Sequence, residues 1–151
     1  MVGYDLDGTI CSRCEINKSY FKCNGTERKA FRKIRERHIQ TAELIRTPTE
    51  KQFYIVTSRP PKSRLMTLQW LYEKGIKPFG TFFMDLPRKR DNMIEYKAKM
   101  IKILDLRKYY EDDPKIAKAL AKKCLNTEVI TVEPVIKHYE LKEFQNNSLQ
   151  F

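Results

Sequence analysis

The chain interleaves short apolar runs with longer stretches whose apolar positions recur every three or four residues, the pattern of strands alternating with helices. Met1-Val2-Gly3-Tyr4 predicts a buried strand that ends at Asp5, and Leu6-Asp7-Gly8-Thr9 follows as a tight loop. Asn24-Gly25 marks a turn, and Thr26 is placed to cap a helix with Phe31, Ile34, His38, Ala42 and Ile45 on its apolar face, ending by Pro48. Phe53–Thr57 predicts a second buried strand, and Ser58-Arg59-Pro60-Pro61 separates it from a helix over 62–74 that Gly75 ends, with Leu65, Leu68 and Leu71 facing the core. Thr81–Met84 predicts a third strand, and the basic loop Arg88-Lys89-Arg90 leads to a helix over 92–104.

Tyr109 and Tyr110 begin a short strand that runs into Glu111-Asp112-Asp113-Pro114, where Asp113 suits an N-cap and Pro114 the first helical position. Ile116, Ala117, Leu120 and Ala121 are the expected buried face of that helix, and 128–132 supplies a last strand. Alternating strands and helices imply right-handed crossovers and a mainly parallel α/β sheet flanked by helices. The expected organisation is one domain over 1–134, a small helical insertion over 10–50 within it, and a C-terminal tail over 135–151 without strong pattern.

In an open parallel sheet, ligands bind beyond the carboxyl ends of the strands. That rim would gather Asp5 and Asp7 from the first strand, Thr57, Ser58 and Arg59 from the second, and Asp112 and Asp113 from the fourth. Acids so grouped repel one another unless a cation joins them, and carboxylate oxygens suit Mg²⁺. Lys97 lies on the helical stripe of Met93, Met100 and Leu104, whereas Lys99 is turned about 200° away on an ideal helix. Lys97 is therefore expected to point inward, toward those acids.

Composition adds a partner class. The 151 residues carry a formal charge of +11, which attracts polyanions such as nucleic acid or phosphorylated substrates, although a solvated lysine-rich surface has the same composition. Arg28, Lys29, Arg32, Lys33, Arg35 and Arg37 crowd one helix of the insertion, as a basic lip for a nucleic-acid end or as a merely solvated face. No apolar run is long enough to cross a bilayer and no secretory leader pattern opens the chain, so the expectation is a cytoplasmic protein without membrane partners. Cys11, Cys14 and Cys23 offer soft ligands for a structural Zn²⁺ that His38 or Cys124 would complete. The alternative is ordinary buried thiols and a core histidine.

Asp5-Leu6-Asp7-Gly8-Thr9 after an apolar strand resembles the first motif of the haloacid dehalogenase superfamily, DxDGT. Tyr54-Ile55-Val56-Thr57 resembles its second, Lys97 the third-motif lysine, and Asp112-Asp113 the acidic fourth. Within that superfamily, Thr57-Ser58-Arg59, Arg64, Thr67-Leu68-Gln69-Trp70-Leu71, Met84 and the basic run through Asp91 to Lys97 are similar to the 3′-phosphatase half of phage polynucleotide kinases. Ser58 stands where that pattern has Gly, Asp85 where it has Arg, and the kinase half has no counterpart.

The resemblance implies a Rossmann-like fold and a Mg²⁺-dependent phosphatase. Asp5 would be the nucleophile, forming an aspartyl-phosphate, and Asp7 the general acid and base. The metal would be held by the Asp5 carboxylate, the Asp7 carbonyl and Asp112, with Asp113 a further ligand or bound through water. Thr57 and the loop amides would donate to the phosphoryl oxygens, Lys97 would neutralise charge, and Arg59 would clamp phosphate or serve as a surface turn residue. The substrate implied is a nucleotide or polynucleotide terminal phosphate. The alternatives are a small phosphorylated metabolite, or a non-catalytic nucleic-acid-binding module.

Overall fold

A computed structural model describes residues 1–17 and 26–148, with the side chains of 146–148 left out. In chain order the elements are β1 (Val2–Tyr4), β2 (Arg13–Asn17), α1 (Glu27–Thr41), β3 (Phe53–Thr57), α2 (Arg64–Glu73), β4 (Gly80–Phe83), α3 (Arg90–Ile103), β5 (Lys108–Glu111), α4 (Pro114–Lys123), β6 (Glu128–Thr131), β7 (Ile136–Glu140) and α5 (Leu141–Ser148). Five strands form one sheet in the order β4-β3-β1-β5-β6, and every pairing is parallel. The chain builds outward from β1 to one side through β3 and β4, then returns to the other through β5 and β6. The order thus reverses beside β1, the place in an open parallel sheet beyond whose carboxyl ends ligands bind.

Side chains alternate across the sheet because successive residues of a strand face opposite ways. Phe53 and Ile55 of β3 join Tyr4, Leu6, Ile10, Trp70, Leu71 and Ile76 on one face. Tyr54 and Val56 join Ala98, Ile101, Leu106, Tyr109, Ile116 and Leu120 on the other, under α3 and α4. Gly3 lets Leu106 and Tyr109 pack directly on β1, since a Cβ there would meet Leu106 Cδ1 and Tyr109 Cδ1.

Two apolar assignments are corrected. Leu65 is 81% exposed and Leu68 38% exposed, while Thr67, Trp70 and Leu71 form the buried stripe of α2. Positions three apart drift by about 60° per step around a helix, which carries Leu65 roughly 170° from that stripe. Trp70 anchors it by donating from Nε1 to the Ala42 carbonyl at 3.0 Å. Ala121 of α4 is exposed, whereas Ile116, Ala117 and Leu120 are buried. Helix α1 ends at Thr41, so Ala42 caps it in an extended conformation and Ile45 lies beyond it.

The segment after Pro134 departs most from expectation. It forms β7 and α5, and β7 pairs in parallel with β2 from Arg13↔Ile136 to Asn17↔Glu140. Leu141 is fully buried with Ala30 and Ile34, and Cys14, Ile16, Tyr139 and Phe144 pack around them. The insertion is therefore completed by the C-terminal segment into a small layer of two strands and two helices with its own core. Leu141→Ala should cost about 2–5 kcal/mol, the usual range for a buried leucine. The loss should be seen in the urea midpoint and in faster amide exchange of α1 than of β3. Stability within about 0.5 kcal/mol of the parent would show that this layer does not depend on the C-terminal segment.

Candidate active site

The Asp5–Cys11 loop is drawn tight by its own backbone. Thr9, Ile10 and Cys11 N–H groups all donate to the Leu6 carbonyl, and Gly8 N–H donates to the Cys11 carbonyl at 2.8 Å. Gly8 has φ +86°, in the left-handed region, and a Cβ there would overlap the Asp112 carboxylate. Glycine thus lets the loop after β1 lie against the acid that follows β5.

Lys97 enters the same rim from α3. Its ammonium is buried and donates to Asp5 Oδ1 at 3.1 Å and to Glu111 Oε1 at 2.6 Å, while Lys99 is exposed. Burial alone would lower the lysine's proton affinity, but Asp5, Tyr109 and Glu111 outweigh it and keep the group charged. Glu111 has both carboxylate oxygens engaged, Oε1 by Lys97 and Oε2 by the Asp113 N–H at 3.2 Å. Asp5 also accepts from Thr9 Oγ1 through Oδ2 at 3.3 Å.

Burial, reinforced by the Glu111 charge, raises the Asp5 carboxyl to about 7. Burial and the Asp5 charge raise Asp112 to about 6. Asp7 goes the other way. Burial would raise it, yet Arg59 holds it at about 2. Arg59 Nη2 and Nε donate to Asp7 Oδ1 and Oδ2 at 2.6 and 2.9 Å, and Nη1 donates to Thr67 Oγ1 at 3.0 Å. The Arg59 N–H donates to Thr57 Oγ1 at 3.1 Å, so the end of β3 and the arginine are fixed together. Ser58 and Thr57 are buried beside it.

Asp5, Glu111 and Asp112 offer carboxylate oxygens within 4.8 Å of one another, and they are the group of metal-ligand type found among the described residues. Glu111 is the acid most closely paired with Lys97, at 2.6 Å, whereas the contacts of Asp5 are longer, at 3.1 and 3.3 Å, and Asp112 is held by Arg13 through Oδ2, so Asp5 and Asp112 are the carboxylates better placed to bind a cation. Their hard oxygens and mutual repulsion fit Mg²⁺. Asp113 is reassigned, since its Oδ1 accepts from the Lys115 and Ile116 N–H groups at 2.9 and 3.3 Å and caps α4. The Arg59 guanidinium, expected to clamp phosphate or to sit in a surface turn, is buried and faces Asp7 in this structure.

Glu111 and Arg13 take part without having been singled out in the sequence. Glu111 had a signal: two residues after buried Tyr109 on a strand, it shares that face and meets inward-pointing Lys97. Arg13, which donates from Nη1 to Asp112 Oδ2 at 2.8 Å, lies 99 residues from its partner and had none.

Among the soft candidates, Cys11 is buried and Cys14 half-buried, with burial raising the Cys14 thiol to about 11. Cys23 lies outside the described residues. Cys124 sits in the core beneath α3. His38 has Nε2 2.7 Å from the Ser12 carbonyl and Nδ1 3.1 Å from Tyr139 Oη, the setting of a core histidine.

No family model matches the chain. No curated protein matches it either. A chain in the solved "Structure of the Pnkp1/Rnl/Hen1 RNA repair complex" superposes with a TM-score of 0.57 at 14% identity, over 92% of this chain. This chain spans 42% of the length of that one. At such identity the likeness establishes the α/β fold. No helix among the described residues is long and apolar enough to cross a membrane.

Two predictions follow from the charges. Lys97→Met should cost about 3–5 kcal/mol by leaving Asp5 and Glu111 unpaired, and Lys99→Met less than about 0.5 kcal/mol; equal losses in denaturant titrations would refute the assigned helical phase. In chelator, Asp5 and Asp112 bind protons more tightly folded than unfolded, so folded protein holds the extra protons between about pH 4 and 7 and stability falls as pH rises through that window. Asp7, depressed to about 2, contributes stability above about pH 4 that is lost only below it. Melting temperatures that rose steadily from pH 4.5 to 7.5 in chelator would contradict this assignment.

Proposed function

We propose that the chain is a Mg²⁺-dependent phosphomonoester hydrolase of the haloacid dehalogenase type, acting through an aspartyl-phosphate on a polynucleotide or nucleotide terminal phosphate, preferentially a 3′-phosphate. The observation that carries the reading is the buried Lys97 ammonium bridging Asp5 and Glu111 at the rim where Asp112 meets Gly8. Three buried carboxylates, Asp5, Glu111 and Asp112, cluster there around one buried ammonium, with the half-exposed Arg13 on Asp112 besides, an excess of buried negative charge that suits a bound cation. The motif order in the sequence supports the reading, as does the shared fold with a chain of an RNA repair complex. The +11 charge and the exposed arginines of α1 favour a polyanionic substrate over a small neutral sugar phosphate.

Mg²⁺ would be held by the Asp5 and Asp112 carboxylates and the Asp7 carbonyl, and when bound supplies the positive charge that lets an anionic nucleophile approach an anionic phosphate. Asp5 attacks phosphorus through a carboxylate oxygen, the bond from phosphorus to the ester oxygen breaks, and that oxygen takes a proton from Asp7. Water then attacks the aspartyl-phosphate, Asp7 accepts its proton, the bond from phosphorus to Asp5 breaks, and phosphate leaves. Lys97 holds Asp5 in place and offsets the charge that develops on phosphoryl oxygens. Arg59 orients Asp7 and, in the resting site, keeps it ionised, as the second step requires. An arriving phosphate competes for the guanidinium, loosens its hold and raises the proton affinity of Asp7 for the first step.

Purified protein with Mg²⁺ should release phosphate from a 3′-phosphorylated oligonucleotide faster than from its 5′-phosphorylated isomer or from sugar phosphates, and chelator should abolish the release. Asp5→Asn should lower turnover by at least about 10³-fold with the fold retained. Wild-type-like activity in that variant would remove Asp5 as nucleophile, and no preference for oligonucleotides would favour a metabolite substrate.

A further inference from the structure

Arg13 stands at the start of β2, in the layer formed by the insertion and the C-terminal segment, yet its side chain reaches the rim of the main sheet. Two carboxylates share its guanidinium. Nη1 donates to Asp112 Oδ2 at 2.8 Å, and Nη2 donates to Glu15 Oε1 at 3.3 Å. Asp112 is buried, whereas the Arg13 side chain is 32% and that of Glu15 48% exposed. The guanidinium therefore spans from a buried acid to a solvated one, with a partner at each end.

The oxygen that Arg13 holds is the one packed against Gly8, facing the loop that carries Asp7. It belongs to the carboxylate that, with Asp5, is better placed to bind a cation. A guanidinium and a divalent cation on the same carboxylate repel each other, an effect that solvent at the half-exposed Arg13 reduces without removing. Each therefore weakens the other's hold on Asp112.

We infer that Arg13 is a cation-displaced positioning residue: it neutralises Asp112 while the site lacks metal, and cation binding releases it toward Glu15 and the site mouth, where it takes a phosphoryl oxygen. The inference rests on the metal-dependent reading above. It gives β2 a role in the chemistry, because the strand pairing β2 with β7 fixes where the arginine can reach. The swing keeps the cation paired throughout, since Glu15 lies two residues along the same face of β2 and already touches Nη2. Releasing the arginine only when metal is present couples phosphate capture to a loaded site. The rearrangement is noncovalent, exchanging one hydrogen-bonded partner of the guanidinium for another.

The test uses Mn²⁺ as the probe, following loss of the free-ion electron paramagnetic resonance signal on titration into substrate-free protein, with circular dichroism to check the fold. Arg13→Gln should bind Mn²⁺ roughly tenfold more tightly than the parent, because the competitor for Asp112 is gone. Glu15→Gln, at an exposed position, should bind it more weakly, because Arg13 then leans on Asp112 alone. With Mn²⁺ saturating, Arg13→Gln should also bind inorganic phosphate about tenfold more weakly. Unchanged or weakened Mn²⁺ binding in Arg13→Gln would overturn the inference, as would unchanged or tighter binding in Glu15→Gln should the first variant not fold. A parent protein that takes up no Mn²⁺ would instead overturn the metal-dependent reading itself.

Discussion

The site depends on an ammonium buried between two carboxylates. Taking the Lys97 charge out of water is costly, and only close pairing with Asp5 and Glu111 offsets that cost. The constraint runs in three directions. It fixes the phase of α3, because another register would aim Lys99 inward and leave both acids unpaired. It fixes the end of β5, where Glu111 must face α3 while the next residue, Asp112, turns to the loop. It also fixes Asp5, whose carboxylate is held by Lys97 and Thr9.

Around that centre the charges separate into two subsites with opposite tendencies. Asp5 and Asp112 crowd each other and hold protons more readily than isolated acids, which makes them receptive to a cation. Asp7, two residues from Asp5, is instead an anion because Arg59 grips it. Neighbouring acids on one loop thus acquire different chemistry from their partners, which suits the separate roles proposed for them as nucleophile and proton-transfer group. Gly8 permits the arrangement, since a larger residue would push the loop away from Asp112.

Much of this was legible in the sequence, because the main elements announce themselves locally. The strand Phe53–Thr57 is a continuous apolar run bounded by polar residues, and Asp113-Pro114 marks the start of α4 by capping chemistry that the structure displays. Lys97 was placed by helical phase alone. What escaped lay in pairings between distant segments. The β7 strand, Ile136–Glu140, is too short and too mixed to read as a strand until it meets β2, more than a hundred residues earlier. Nothing near Arg13 in the chain marks its pairing with Asp112, and Arg59 reads equally as a phosphate clamp or a surface turn residue until Asp7 is found beside it. Leu65 and Leu68 misled because a spacing of three mimics a stripe while rotating steadily out of it.

The proposed hydrolysis requires Asp5 to form a covalent bond to phosphorus, which makes the stereochemical course of the reaction the most direct measurement. With a phosphomonoester made chiral at phosphorus by oxygen isotopes and sulfur, two successive in-line displacements predict net retention of configuration. Net inversion would mean that water attacks the substrate directly, and would contradict the role given to Asp5.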